Sequence, residues 1–109
     1  MKRLFVYGTL CPGQPNEHVL TVIGGTWEEA SIKGHLKQLG WGAGMGYPGI
    51  ILDERGEDVK GYIFSSDKLD SHWGDLDAFE GEEYERVLVT VKTKDNMAVE
   101  AYIYKLRES

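Results

Sequence analysis

The chain has 109 residues and a net charge of −6, with 12 Lys and Arg against 18 Asp and Glu. That length fits one domain with one modest core, expected to span residues 1–109, and 41% apolar with 28% charged residues is the balance of a globular chain in water. No basic cluster, bilayer-length apolar run or signal-type leader is present, so neither nucleic acid nor a membrane is an expected partner; the lone cysteine, Cys11, excludes an internal disulfide framework and fits a reducing cytoplasm.

Residues 2–7 end in β-formers and predict a buried strand. Residues 8–16, "GTLCPGQPN", carry two prolines and two glycines and predict a loop. Residues 17–23 predict one or two helical turns, and residues 26–39 alternate enough for one or two strands. Residues 40–49, "GWGAGMGYPG", hold five glycines and a proline, which excludes regular structure. Residues 59–64 predict a strand. A helix is expected over 66–80, started by Ser66 or Asp67 and stopped by Gly81. Residues 84–93 and 98–106 alternate with β-branched and aromatic residues around a "KDN" turn, the pattern of a hairpin. The sum is an α+β chain with five or six strands and one good helix.

Glu80 is the first candidate for chemistry. Leu69, Trp73, Leu76 and Glu80 recur at three-to-four spacing and so share one helix face. A carboxyl on an apolar stripe loses hydration, which raises its pKa. The negative end of the helix dipole and the following Glu82 and Glu83 push the same way. A raised pKa suits a general acid/base. The competing reading is a helix that frays before Glu80 and leaves its side chain in water.

The turn Tyr7-Gly8-Thr9-Leu10 is the second candidate. A strand ending in Gly-Thr can aim successive backbone N–H groups into one concavity, where a carboxylate would bind. An ordinary strand exit is the alternative. The glycine-rich loop fits neither nucleotide fingerprint, since no G-x-G-x-x-G opens a helix and no Gly-Lys-Ser/Thr follows. It reads better as a flap over a small pocket, with Trp41 and Tyr47 as walls. Cys11 could act as a nucleophile with His18, His35 or His72 as base, although a lone cysteine more often is a small buried apolar residue. The histidines lack metal-ligand spacing among themselves or with Cys11, so no metal is expected.

Together, "VYGTLCPGQ", "GYPGI", "VKGYIF", "LDAFEGEEYERVLVTV" and the closing "AYIY" resemble, in order, the γ-glutamylcyclotransferase-like family. The length is similar to its compact branch, which includes γ-glutamylamine cyclotransferase and short bacterial proteins. The resemblance implies a small mixed β-barrel with flanking helices and a pocket at one end. It implies that Tyr7, Gly8, Thr9 and Leu10 bind a substrate α-carboxylate through backbone amides, and that Glu80 is the catalytic acid/base. Tyr84 and Tyr104 match aromatic positions of the family and join Tyr47 as expected substrate-binding residues. Arg86 matches too, and a structural pairing with a barrel-end acid is expected for it. Cys11-Pro12 depart from the polar or basic residues often found after the motif.

The implied function is cyclisation of a γ-glutamyl amine or peptide to 5-oxoproline with release of an amine, without a cofactor, by a protein expected to be monomeric. The alternative is a catalytically silent module that binds a small carboxylate in the same pocket.

Overall fold

Along the first strand, Leu4, Phe5 and Val6 are all buried, so both faces of the strand are covered. A computed structural model of the chain, which describes residues 2–8, 10–37 and 49–107, shows why. Phe5 points into the lumen of a barrel, where it meets Ile63, Val91, Ala101 and Ile103. Leu4 and Val6 point outward into a second core, against Leu20, Phe64, Leu69, Leu76 and Tyr104. Two cores back to back explain a continuous apolar run where a strand exposed on one side would alternate.

The strands in chain order are β1 (Lys2–Val6), β2 (Thr26–Lys37), β3 (Gly49–Leu52), β4 (Glu57–Ser66), β5 (Tyr84–Thr93) and β6 (Ala98–Leu106). They run β3-β2-β4-β1-β6-β5, and β5 returns to β2 through Ala30↔Thr93 and Ser31↔Lys92. β2, β4, β1, β6 and β5 thereby close a five-stranded barrel, mixed because β1 and β6 run parallel while the other pairings are antiparallel. β2 is one strand, paired with β4 from Thr26 to Gly34. Its residues Gly34–Lys37 also pair with β3. Gly61 makes the tight approach of β4 to β1 possible, since a Cβ there would run into the Val6 carbonyl and the Phe5 ring.

Among the described residues two α-helices flank the barrel, α1 (His18–Thr21) and α2 (Trp73–Glu80). Among the described residues no helix is long and apolar enough to cross a membrane. The helix expected over 66–80 is broken. Ser66 ends β4 with its hydroxyl donating to the Gly24 carbonyl at 2.6 Å, a separate 3-10 turn spans Leu69–Ser71, and α2 starts only after His72. Neither Ser66 nor Asp67 caps α2, whose first cap is His72 without a side-chain hydrogen bond. Gly81 does stop the helix, at φ 88° and ψ −178°, a region that essentially only glycine enters. The loop expected over 40–49 ends one residue early, because Gly49 already belongs to β3. Residues 40–48 lie outside the described residues, and so does the proposed flap with Trp41 and Tyr47.

Candidate active site

β1 leaves the barrel at Tyr7. The chain then turns, closed by the Cys11 N–H donating to the Gly8 carbonyl at 3.1 Å. Gly8 is half-buried and Leu10 is buried in the outer core, while Thr9 lies outside the described residues. The Tyr7 phenol bridges two strands: its O–H donates to the Tyr104 carbonyl on β6 at 2.6 Å and accepts the Ile50 N–H of β3 at 3.1 Å. Burial pushes that phenol far above its usual range, with the negative charge of Glu80 adding to the effect. Tyr7 therefore stays protonated and holds β3 to β6 beside the turn.

Glu80 closes α2. Leu69 and Leu76 of its stripe are fully buried, and Trp73 and Glu80 are half-buried. Burial pushes the Glu80 carboxyl up to about 7. Desolvation is the cause, so the raised affinity does not need the helix dipole or the exposed Glu82 and Glu83. The charge of Glu80 also acts on Tyr84, whose phenol is pushed up to about 12, first by burial and then by that charge. The charge of Glu80 thus bears on two phenols, Tyr7 just after β1 and Tyr84 at the start of β5.

Tyr104 reaches the Tyr7 phenol by its backbone, through the carbonyl that accepts the hydrogen bond of the Tyr7 hydroxyl. Its side chain goes elsewhere: the hydroxyl donates to Asp77 Oδ1 at 2.7 Å, and Arg86 Nη1 donates to the same oxygen at 3.1 Å. The acid partner of Arg86 is therefore Asp77 of α2, three residues before Glu80. The sequence reading passed over Asp77. Its spacing of three from Glu80 and nine from Arg86 was the available signal, but a bond from helix to strand has no fixed spacing. A cleft of about 500 Å³ opens between α2 and the start of β5, walled by Asp77, Gly81, Tyr84, Arg86 and Tyr104 among others, with Glu80 and Tyr7 outside its walls. A second groove, of about 600 Å³, lies between β2 and β5 and contains none of the candidate residues.

Cys11 is buried, and burial pushes its thiol up to about 11, so almost no thiolate exists at neutral pH. Two of its proposed bases are engaged elsewhere: His35 Nε2 lies 2.9 Å from Asp53 Oδ2, and His72 Nδ1 lies 3.6 Å from Asp75 Oδ2. These placements weigh against a cysteine nucleophile with His35 or His72 as its base. Among the described residues no three His, Cys, Asp or Glu side chains converge as metal ligands would.

Comparison with known proteins meets this geometry from another side. Residues 4–109 match the family model described as gamma-glutamyl cyclotransferase, AIG2-like. AIG2-like protein A of Arabidopsis thaliana is 44% identical over 64 residues, covering 53% of this chain and 36% of the relative. The chain thus spans about a third of the length of that curated relative. Among solved structures, YkqA from Bacillus subtilis superposes with a TM-score of 0.71 at 28% identity, over 99% of this chain and 36% of that one. An AIG2-like protein from Mus musculus gives a TM-score of 0.68 at 26% identity, over 96% of this chain and 76% of its own. The match over nearly all of the sequence and the shared barrel agree, and the chain belongs to the gamma-glutamyl cyclotransferase, AIG2-like family.

Proposed function

We propose that the chain cyclises a γ-glutamyl amine or γ-glutamyl peptide to 5-oxoproline and releases the amine, with Glu80 carrying the proton. The observation that carries this reading is the Glu80 carboxyl, half-buried at the end of α2 and raised to about 7 within reach of the Tyr7 and Tyr84 phenols. The substrate's α-amine is an ammonium at neutral pH and cannot attack. Deprotonated Glu80 takes one of its protons. The freed nitrogen adds to the γ-carbonyl carbon, forming the C–N bond of a five-membered ring. The bond to the leaving nitrogen then breaks as Glu80 returns that proton to it, and the surplus proton on the ring nitrogen, acidic once the lactam forms, passes to the departing amine, which leaves as an ammonium. A base that later acts as acid works best with a pKa near the working pH.

The backbone of residues 7–10 holds the α-carboxylate, which folds the substrate back on itself and turns binding energy into orientation. Tyr84, whose phenol feels the charge of Glu80, contacts the substrate. Tyr7 and Tyr104 hold the site together through their own hydrogen bonds. Ring closure is an internal acyl transfer, so the chemistry needs no cofactor, and the site takes a small molecule in a protein that works as a monomer in the cytoplasm. The test is to incubate the purified protein with γ-glutamyl amines and γ-glutamyl dipeptides and to measure 5-oxoproline. Turnover that survives Glu80→Gln unchanged refutes the role of Glu80. Thermal stabilisation by 5-oxoproline with no turnover of any γ-glutamyl compound indicates a silent binding module instead.

A further inference from the structure

Helix α2 carries Glu80, yet little in its own sequence fixes its direction. It has eight residues, its first cap makes no side-chain hydrogen bond, and Leu76 is its one fully buried residue. Helices this short are not stable alone. Arg86 of β5 supplies what is missing. Its guanidinium carbon lies 4.4 Å from the Trp73 ring centroid and 5.8 Å from that of Tyr102, while Nη1 donates to Asp77 Oδ1 at 3.1 Å. Trp73 and Asp77 are one turn apart on the same helix face, so Arg86 grips α2 at two points. Tyr104 adds a third, since its hydroxyl donates to the same Asp77 oxygen. The backbone carbonyl of Tyr104 in turn accepts the Tyr7 hydroxyl at 2.6 Å. One residue of β6 thus ties α2 to the turn that follows β1.

We infer that Arg86, acting with Asp77 and Tyr104, is a positioning residue: it sets the rotation of α2 so that Glu80 faces the Tyr7–Gly8 turn, and it acts on the reaction through Glu80 without touching substrate. The inference rests on the cyclising reaction proposed above. The Arg86 and Asp77 side chains are 27% and 50% exposed. A pair this open adds little to global stability, so its effect is on direction. An error of about 1 Å at a catalytic group can cost on the order of a hundredfold in rate.

The experiment compares the parent with Arg86→Met and Arg86→Lys in two readings: steady-state 5-oxoproline release, and the titration of the Glu80 carboxyl by 13C NMR. The two phenols on which the Glu80 charge acts, Tyr7 just after β1 and Tyr84 of β5, titrate far above that range, and the nearby carboxyls of Asp77, Glu82 and Glu83 are resolved from Glu80 by site-specific assignment of its signal. Arg86→Met should lower kcat by about tenfold or more while KM changes less than about twofold. Its Glu80 midpoint should fall from about 7 toward an ordinary carboxylate as the helix end gains water. Arg86→Lys, which keeps the charge but loses the planar fork, should restore part of both. If Arg86→Met does not fold, Asp77→Asn is read in the same way and should shift both readings in the same direction. Parental kcat with a parental Glu80 midpoint overturns the inference, as does a raised KM at unchanged kcat, which would mean direct contact with substrate. If the parent turns over no γ-glutamyl compound, the proposed function fails, and the NMR titration still decides whether Arg86 sets the environment of Glu80.

Discussion

Glu80→Gln should make the protein more stable, and by an amount that depends on pH. The substitution keeps the size and the hydrogen-bonding shape of the side chain and removes its charge. The carboxyl moves from 4.5 to about 7 on folding. Between those values the folded chain holds a proton that the unfolded chain has lost, so stability falls as pH rises from about 4.5 to about 7 and levels off above. At about 1.4 kcal/mol per unit, the full cost of the buried charge is at most roughly 3.5 kcal/mol. Glutamine carries no such cost. The two proteins should therefore be nearly equal in stability at about pH 4, and the variant should gain through the neutral range. For a chain of this size that gain raises Tm by on the order of 10 °C at about pH 8. Thermal denaturation followed by circular dichroism from about pH 4 to 8.5 measures it. A variant whose Tm tracks the parent at every pH, or whose advantage is the same at pH 4 and pH 8, refutes the claim that burial raises Glu80.

Other substitutions test other parts of the structure. Tyr7→Phe removes the hydroxyl that joins Ile50 N–H to the Tyr104 carbonyl; urea unfolding should show a loss of about 1–3 kcal/mol, the cost of leaving buried backbone groups unpaired. Gly61→Ala drives a methyl into the Val6 carbonyl and the Phe5 ring, and should cost about 1–3 kcal/mol or more by the same measurement. Cys11, with its thiol pushed up to about 11, should react with iodoacetamide at about pH 7.5 on the order of a hundredfold more slowly in the native protein than in urea.

How far the sequence carried the fold depended on whether a pattern was local. The β5–β6 hairpin could be read because its alternation and its turn sit within one stretch, and observed strands Tyr84–Thr93 and Ala98–Leu106 have the expected bounds. Glu80 could be read as the polar member of an apolar stripe because Leu69 and Leu76 do face one core. The same stripe hid the break at His72, since a 3-10 turn followed by a helix keeps the apolar residues on one side without keeping one axis. β4 runs from Glu57 to Ser66, beyond the expected 59–64, because its polar ends are held by pairing with β1 and β2 and not by their own propensity. Barrel closure between Ala30 and Thr93, and the bonds from Arg86 and Tyr104 to Asp77, join residues far apart in the chain and leave no periodic trace.

The proton-carrying role of Glu80 is tested most directly by the pH dependence of kcat/KM for 5-oxoproline release, measured from about pH 5 to 9 on a γ-glutamyl amine. The acid limb of that profile reports the pKa of the base in the free enzyme. With Glu80 as the base, kcat/KM falls about tenfold per unit of pH below about 7, where its carboxyl takes up a proton. A profile that stays flat through pH 7 and bends only near the ordinary carboxylate range contradicts the account.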